Sequence, residues 1–451
     1  MTQTTLTEHS TAAKEQNPPM RIDLAYAMVQ LGNPLLWTIV DSWLLYFYLP
    51  PEGKGVALVP AALYSVVVLA TRVLNAVMVP PIGYLSDHTR SRWGRRLPFM
   101  AFSALPLLVF FVLLWTPPVQ GESTWNMAYL AVIFVLYNLA YSLLMIPYNA
   151  LLPELALTDQ HRVRIATWYA SAQMISTIVA GMAGMLIESQ GYVTTALVYA
   201  GAALPLFYLP FLVLRERPER QIATPDRMSF RQSIAVTLRN PAFLMLSAAG
   251  VCFWSATVFL MMIIPFVVTE VCLLTEFDTT YFFVPATLVM LACYPAVMAL
   301  SNRFGKWRVF AGGLLASAVV FPGPMLIGDW LPVPLMAQGI AWIVLVAMAM
   351  SPILVLPQTF VAEITDYDAQ MTGQRREGAY YSTLGFLDQI VNGAAAAVLP
   401  LLLLLGRSHS DPGGPLGVRL TTLVAGLLFF FGFLIFLRYP LRHRSEPQAG
   451  E

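Results

Sequence analysis

The sequence predicts an all-α integral membrane protein of twelve transmembrane helices, arranged as two six-helix halves. Three observations predict it. Apolar residues (Ala, Val, Ile, Leu, Met, Phe, Trp, Tyr, Cys) make up 57% of the 451 residues and charged residues only 11%, against about 25% charged in an ordinary globular domain. The apolar residues gather into runs long enough to cross a bilayer, which takes about 20 residues per helix. Lys and Arg fall almost entirely on one side of the implied membrane. So few charges cannot cover the surface of a water-soluble chain of this size, which excludes a soluble enzyme, a disordered chain and a disulfide scaffold. The net charge of +1 creates no field for nucleic acid.

Taken in order, the candidate spans are 24–49, 57–86, 97–117, 125–152, 166–188, 192–214, 241–270, 281–301, 309–328, 331–360, 379–406 and 416–437. A closed β-barrel is the other spanning form a bilayer permits, and its strands alternate apolar and polar residues. Runs such as LPLLVFFVLLW and VLPLLLLLG do not alternate, so helices are expected. The polar first twenty residues lack the apolar core of a signal peptide and are expected to form a disordered cytoplasmic arm. Cys252, Cys272 and Cys293 lie in or beside apolar runs without a CxxC spacing, the pattern of reduced core cysteines. Prolines 34, 80, 81, 147, 265, 285, 295, 352 and 357 are expected to kink spans.

An even number of spans puts both termini on one side. All of the 26 Lys and Arg except Lys54, Arg72, Arg407 and Arg419 fall in the tails and the loops on that side. The positive-inside rule makes that side cytoplasmic, and the expected location is the plasma (inner) membrane. The charged stretch 215–240 divides the chain. This gives a tail over 1–22, a half over 23–214, a linker over 215–240, a second half over 241–438 and a tail over 439–451. MIPYNALLPE at 145–154 is similar to LPQTFVAE at 356–363, and DHTRSRWGRR at 87–96 to SNRFGKWR at 301–308. Two unrelated motifs repeating at similar offsets point to duplication, which is common in transporters.

Three stretches carry a family resemblance. Gly83-Tyr-Leu-Ser-Asp87-His-Thr-Arg90-Ser-Arg92-Trp-Gly94-Arg95-Arg96 resembles the loop between spans 2 and 3 of the major facilitator superfamily. With Thr-Arg-Ser-Arg before Gly-Arg-Arg it resembles one branch, the glycoside–pentoside–hexuronide:cation symporters typified by the melibiose permease. Ile146-Pro147-Tyr148-Asn149-Ala150-Leu151-Leu152-Pro153-Glu154 agrees with that branch, as does Asp366-Tyr367-Asp368 followed by Thr372-Gly373-Gln374-Arg375-Arg376-Glu377-Gly378-Ala379-Tyr380. The resemblance covers about residues 20–440 and implies the major facilitator fold and alternating access between two pseudo-symmetric halves.

Acid and base occur together at one face of the membrane. Gly83, Asp87, Arg90, Arg92, Gly94, Arg95, Arg96, Glu154, Asp366, Asp368, Arg375, Arg376 and Glu377 are expected to form a cytoplasmic gate. Exposed ion pairs contribute only about 0–1 kcal/mol each, which suits contacts that must break again. Only Asp41, Arg72 and Asp388 lie deep inside spans. A charge at the bilayer centre costs about 2.5–3.5 kcal/mol even on the lenient scale, so such residues face the interior and pair. Trp37, Asp41, Leu45 and Tyr48 share one helical face, as do Arg72, Asn75 and Val79, and Tyr381, Leu384, Asp388 and Asn392. The residues leave open whether Asp41 or Asp388 neutralises Arg72, and whether the pair is structural or couples transport.

The resemblance implies two acids on span 2 that ligate sodium; Asn75 and Val79 stand there. It implies a sugar-binding acid on span 1, where Pro34 stands, an acid just before the Ile-Pro of span 4, where Met145 stands, and a lysine on span 11, where Gln389 stands. Sodium requires hard oxygen ligands, so no sodium site of the family type is expected, and Asp41 or Asp388 becomes the candidate proton carrier. Trp37, Tyr141, Tyr148, Asn138, Asn149 and Gln389 are candidate solute contacts through ring stacking and hydroxyl hydrogen bonds. Neither a metal nor any cofactor is expected: no histidine pair has metal spacing, and there is no phosphate-binding loop or nucleophile elbow. The partners implied are a small-molecule solute, the lipid bilayer and a proton, with no nucleic acid and action as a monomer. The expected function is transport of a sugar or glycoside, proton-coupled and not sodium-coupled. Two readings stand beside it: a carrier of an amphipathic solute such as a lysolipid, and a non-transporting membrane sensor with the same fold.

Overall fold

Lipid offers no hydrogen-bond partner to the backbone, so a chain that crosses it repeatedly must satisfy its amides within helices. The computed structural model describes residues 20–51, 53–89, 91–155, 159–214, 237–372, 377–405 and 416–441, and every regular element among them is a helix. In chain order these are α1 (Met20–Tyr48), α2 (Ala61–His88), α3 (Leu97–Leu113), α4 (Thr124–Leu155), α5 (Asp159–Gly181), α6 (Ala183–Tyr208) and the short α7 (Pro210–Val213). They continue as α8 (Pro241–Phe266), α9 (Thr280–Phe304), α10 (Lys306–Val320), α11 (Leu335–Val355), α12 (Pro357–Thr372), α13 (Glu377–Leu403) and α14 (Leu416–Phe436).

Among the described residues, nine helical stretches are long and apolar enough to cross a membrane. The other expected segments are also helical. α3 is apolar but only 17 residues long, and α1 and α5, with 29 and 23 residues, carry more polar side chains. The boundary between the fifth and sixth expected spans falls inside α6, where Gly191 turns the chain at φ 78° and ψ 169°. That φ is open to glycine and strained for any other residue. The tenth expected segment breaks at Leu356 after Pro352, and Pro357 opens α12, which runs on to Thr372 rather than ending at 360. Pro265 is followed by a wider π turn over Val267–Val271.

The packing has an internal symmetry. In the first half α1 lies on α5 and α6, α4 on α2 and α3, and α3 on α6. In the second half α8 lies on α13 and α14, α11 on α9 and α10, and α10 on α14. Each pair of the first set recurs in the second when α1 to α6 are matched in order with α8, α9, α10, α11, α13 and α14. Between the halves α1 meets α8, α2 meets α13, and α5 meets α9. The last two seams exchange under the same matching.

Each half is also tied at equivalent helix starts. Asp23 and His161 are fully buried, with His161 Nε2 2.7 Å from Asp23 Oδ1, and Arg164 Nε donates to Asp23 Oδ2 at 2.5 Å, joining α1 to α5. In the second half Thr237 Oγ1 donates to Thr383 Oγ1 at 3.0 Å and Asn240 Nδ2 to Tyr380 Oη at 3.0 Å, joining the start of α8 to α13. Asn240 also caps α8 by accepting from the amides of Ala242 and Phe243. One clamp is ionic and the other neutral. Removing a carboxylate from a buried ionic cluster costs about 3 kcal/mol, and losing a neutral hydrogen bond about 1 kcal/mol. Thermal unfolding in mild detergent is therefore expected to show a clearly larger loss for Asp23→Ala than for Thr237→Val.

Candidate functional site

From Gly32 to Tyr46 every residue of α1 is buried except Trp37 and Asp41. These two are four apart and share a face. Because α1 is packed by α5, α6 and α8, their exposure is to a space inside the bundle. Arg72 Nη2 donates to Asp41 Oδ1 at 3.2 Å, with 19% of the arginine side chain and 34% of the aspartate side chain exposed. Asp41 is thus the residue that neutralises Arg72. Tyr64, Tyr137 and Tyr141 stand within electrostatic reach of both charges.

α13 supplies the other side. Ile390, Ala394, Val398 and Leu401 are exposed at spacings that make one lipid-facing stripe. At 100° per residue, Gly385, Asp388 and Asn392 point to the opposite side, into the bundle. Gly385 is exposed and a Cβ there would meet nothing within 4 Å. Asp388, Gln389 and Asn392 are half-buried. Farther along the same inner face Ala396 and Leu399 are buried. The interior space therefore opens toward the N-terminal end of α13 and closes beyond Asn392. α13 touches α2 at Gly393, where a Cβ would lie 2.5 Å from Arg72 Cβ, so the two helices meet there only because the residue is glycine.

The remaining expected solute contacts differ in what they offer. Ser142 Oγ donates to Asn75 Oδ1 at 2.7 Å, which occupies the amide oxygen that stands where the family's first sodium ligand is implied. Asn138 Nδ2 donates to the Phe134 carbonyl at 2.8 Å, one turn back in its own helix. Tyr148 is fully buried, donates to the Tyr26 carbonyl at 2.9 Å and stacks on Tyr26 at 4.4 Å, so its hydroxyl serves packing. Tyr141 is half-buried and Asn149 exposed.

At the loop after α2, Gly94 adopts φ 107°, and Ser91 bridges the turn by accepting from the Trp93 amide at 3.1 Å and donating to the Gly94 carbonyl at 2.6 Å. Arg92 lies over the Trp93 ring at 5.4 Å. Arg96 donates to the Ala150 carbonyl, a tie to α4 within the same half. Asp366 and Asp368 sit on α12, where Lys306 Nζ also reaches Glu363 Oε1 at 2.6 Å. Gly83 lies in α2, within van der Waals reach of Ile146. Arg90, Arg375 and Arg376, and the side chains of Asp87, Glu154 and Glu377, lie outside the described residues.

The opposite end carries a cluster that the sequence did not single out. Glu276 Oε1 accepts from Tyr46 Oη at 3.0 Å and lies 3.7 Å from Lys54 Nζ. The Phe277 amide donates to Glu188 Oε2 at 2.6 Å. A Cβ on Gly184 would lie 2.3 Å from the Glu276 carbonyl oxygen, and one on Gly181 would lie 2.8 Å from Phe283 Cβ. Tyr46 meets Phe266 edge-on at 5.0 Å. These contacts join the two halves and shut the interior space at that end. Sequence reasoning missed them because Glu276 and Lys54 look like ordinary loop charges and pair across 222 positions of chain. It missed the Asp23 cluster likewise, since His161 reads as a loop histidine until α5 buries it.

Comparison with known proteins agrees with this architecture. Residues 25–443 match the family described as MFS/sugar transport protein. The chain is 26% identical over 439 residues to a glucuronide carrier protein homolog of Escherichia coli (strain K12), covering 94% of this chain and 93% of that protein. It is 26% identical over 403 residues to a putative sulfoquinovose importer of Salmonella typhimurium, covering 85% and 80%. Among solved structures it superposes on a bacterial homologue of the human lysosomal transporter Spinster with a TM-score of 0.66 at 13% identity, over 96% of this chain and 98% of that one. That last likeness bears on the fold alone.

Two outcomes are expected from this geometry. Asp41→Ala strands the Arg72 charge, so it is expected to lower stability more than Asp41→Ala combined with Arg72→Ala. A double-mutant cycle on thermal unfolding should return a coupling of about 1–3 kcal/mol. Gly184→Ala is expected to prise the sealed end apart. Cys272, four residues before Glu276, is buried against Gly339, and its labelling by a membrane-impermeant maleimide added from that end should rise in the variant.

Proposed function

The chain belongs to the MFS/sugar transport protein family, and on that premise we propose that it carries a sugar or glycoside across the membrane by alternating access, coupled to protons and not to sodium. One observation carries the reading. The interior space around Asp41, Arg72 and Asp388 is sealed at the Glu276 end and open along the inner face of α13 toward Gly385. This is how a carrier looks with one gate shut and its central site reachable from the other side.

Several features support the finer points. Asn75 spends its carbonyl oxygen on Ser142, and Val79 has no ligand atom, so the position of the family's sodium site lacks its oxygens. The half-buried carboxylates of Asp41 and Asp388 face the same interior and are the groups that can hold a proton. Twelve crossings, with residues 23–214 and 241–438 as the rocking halves and both termini in the cytoplasm of a cell bounded by its inner membrane, follow from the charge asymmetry. On this orientation the Glu276 seal is extracellular and the opening at Gly385 cytoplasmic. The gate residues around Asp87, Arg92 and Asp366 then close the cytoplasmic mouth when the extracellular seal breaks. Each carrier works as a monomer, since one chain encloses the whole site.

A second reading has its own observation. None of residues 284–296 of α9 is buried, so no face of that helix is fully covered, including the face toward α5. A side opening there suits an amphipathic solute such as a lysolipid.

Uptake into proteoliposomes decides between them. With methyl glycosides as substrates, an acid-outside proton gradient is expected to drive accumulation and a sodium gradient to have no effect. Asp41→Asn or Asp388→Asn is expected to abolish proton-driven accumulation while equilibrative exchange persists. Transport by both variants with unchanged proton-driven accumulation removes the coupling assignment. Uptake of a lysolipid with no glycoside response replaces the first reading with the second.

A further inference from the structure

Among the described residues, the charged side chains at mid-depth of the spans are Asp41, Arg72 and Asp388; Glu270 lies in the π turn at the far end of α8, within electrostatic reach of Tyr46 at the sealed end. Arg72 is committed to Asp41 at 3.2 Å. Asp388 shares the inner face of α13 with the open Gly385 and with Asn392. Among the described residues no hydrogen bond or ion pair reaches Asp388. Beside it Gln389 buries its Oε1 without a partner. The positions where the family's other interior charges are implied hold Pro34, Met145 and Gln389, none of which alters the balance. Among the described residues, the charges at mid-depth thus leave one carboxylate, Asp388, in excess.

We infer that Asp388 makes this carrier selective for uncharged glycosides over anionic ones such as uronides and sulfonated sugars. The argument is one of charge balance and rests on the glycoside reading above. A net charge is costly to carry through a low-dielectric interior when the gates close over it. A single proton with an uncharged sugar cancels the excess carboxylate. A single proton with a uronide or a sulfonate leaves one negative charge uncompensated, and Arg72 is already paired. Before the proton arrives, sugar hydroxyls donate to the Asp388 carboxylate in charge-assisted hydrogen bonds, whereas an anionic substituent meets a like charge. The selectivity separates this chain from the relatives named for a glucuronide and for sulfoquinovose, both of which are anionic.

The test uses the full-length protein in lipid nanodiscs and matched pairs of ligands: methyl β-D-glucoside with methyl β-D-glucuronide, and methyl β-D-galactoside with methyl β-D-galacturonide. Binding is measured calorimetrically at pH 7.5. The uncharged member of a pair that binds is expected to bind at least about tenfold more tightly than its uronate, a difference of about 1.4 kcal/mol. In Asp388→Asn the ratio is expected to fall below about threefold, with the uronate gaining. The wild-type ratio needs no variant, so a misfolded substitution does not block the test. A uronate that binds wild type as tightly as its uncharged partner overturns the inference while leaving the glycoside reading intact, as does a ratio unchanged in a folded Asp388→Asn. Failure of every glycoside to bind, with lysophosphatidylcholine binding instead, overturns the glycoside reading and this inference with it.

Discussion

The constraint on which the interior depends is that an arginine in the middle of a membrane bundle must be neutralised. Burying one charge costs about 2.5–3.5 kcal/mol on the lenient insertion scale. Two opposite charges about 4 Å apart recover about 4 kcal/mol at the effective dielectric of a partly wet interior. Burying both charges costs about 5–7 kcal/mol, so the Asp41–Arg72 attraction recovers most of that cost, and an Arg72 left charged without Asp41 recovers none of it. Everything nearby accommodates it. α13 approaches Arg72 closely at Gly393, and between Gly32 and Tyr46 α1 is uncovered only at Trp37 and Asp41. Among the described residues, the pair commits the cation at mid-depth and leaves Asp388 without a partner.

Much of this architecture was legible in the sequence, and the reason is physical. Hydrophobic runs must match bilayer thickness, so the segments can be found by length. The chain departs from them where local backbone chemistry intervenes, at Gly191, Leu356 and the π turn after Pro265. The interior charges were legible because Asp41, Arg72 and Asp388 are conspicuous in apolar surroundings. Their pairing was not, since i+4 periodicity gives a residue's face but not the helix it meets. Tyr148 shows the same limit from the other side. An aromatic hydroxyl in a span suggests a solute contact, yet its partner is the Tyr26 carbonyl. The seal at Glu276 and the clamp at Asp23 were invisible because both depend on contacts between residues far apart in the chain, and their members read as ordinary loop charges.

The strengths of the polar contacts are unequally distributed. At the helix starts the ties within each half hold buried groups: Asp23 and His161, with the half-exposed Arg164, in one, and Thr237 and Asn240 with Thr383 and Tyr380 in the other, whereas the Lys306–Glu363 pair of the second half is partly exposed. Between the halves, at the sealed end, Lys54 and Glu276 stand 3.7 Å apart and partly exposed, a contact of the kind that contributes about 0–1 kcal/mol. Two bodies that rock against each other need this division. Contacts within a body must survive every cycle, and contacts between bodies must be cheap to break.

The two pseudo-symmetric seams are not equivalent, and this constrains how the rocking occurs. At α2–α13 the Arg72 side chain lies against the Gly393 backbone at the depth of the central ion pair. At α5–α9 the described close approach is at Gly181 and Phe283, next to the sealed end, and α9 beyond it has no buried residue from 284 to 296. A rotation that opens the sealed end must separate Gly184 from Glu276 and Gly181 from Phe283, but it need not part Arg72 from Gly393 if the axis passes near them. A seam that packs at mid-depth serves as the pivot, and a seam that packs at one end swings. The ion pair would then sit near the axis, where displacement is least. Asp41 and Arg72 then stay side by side as the halves move, while Asp388, nearer the start of α13 than Gly393, lies farther from the axis.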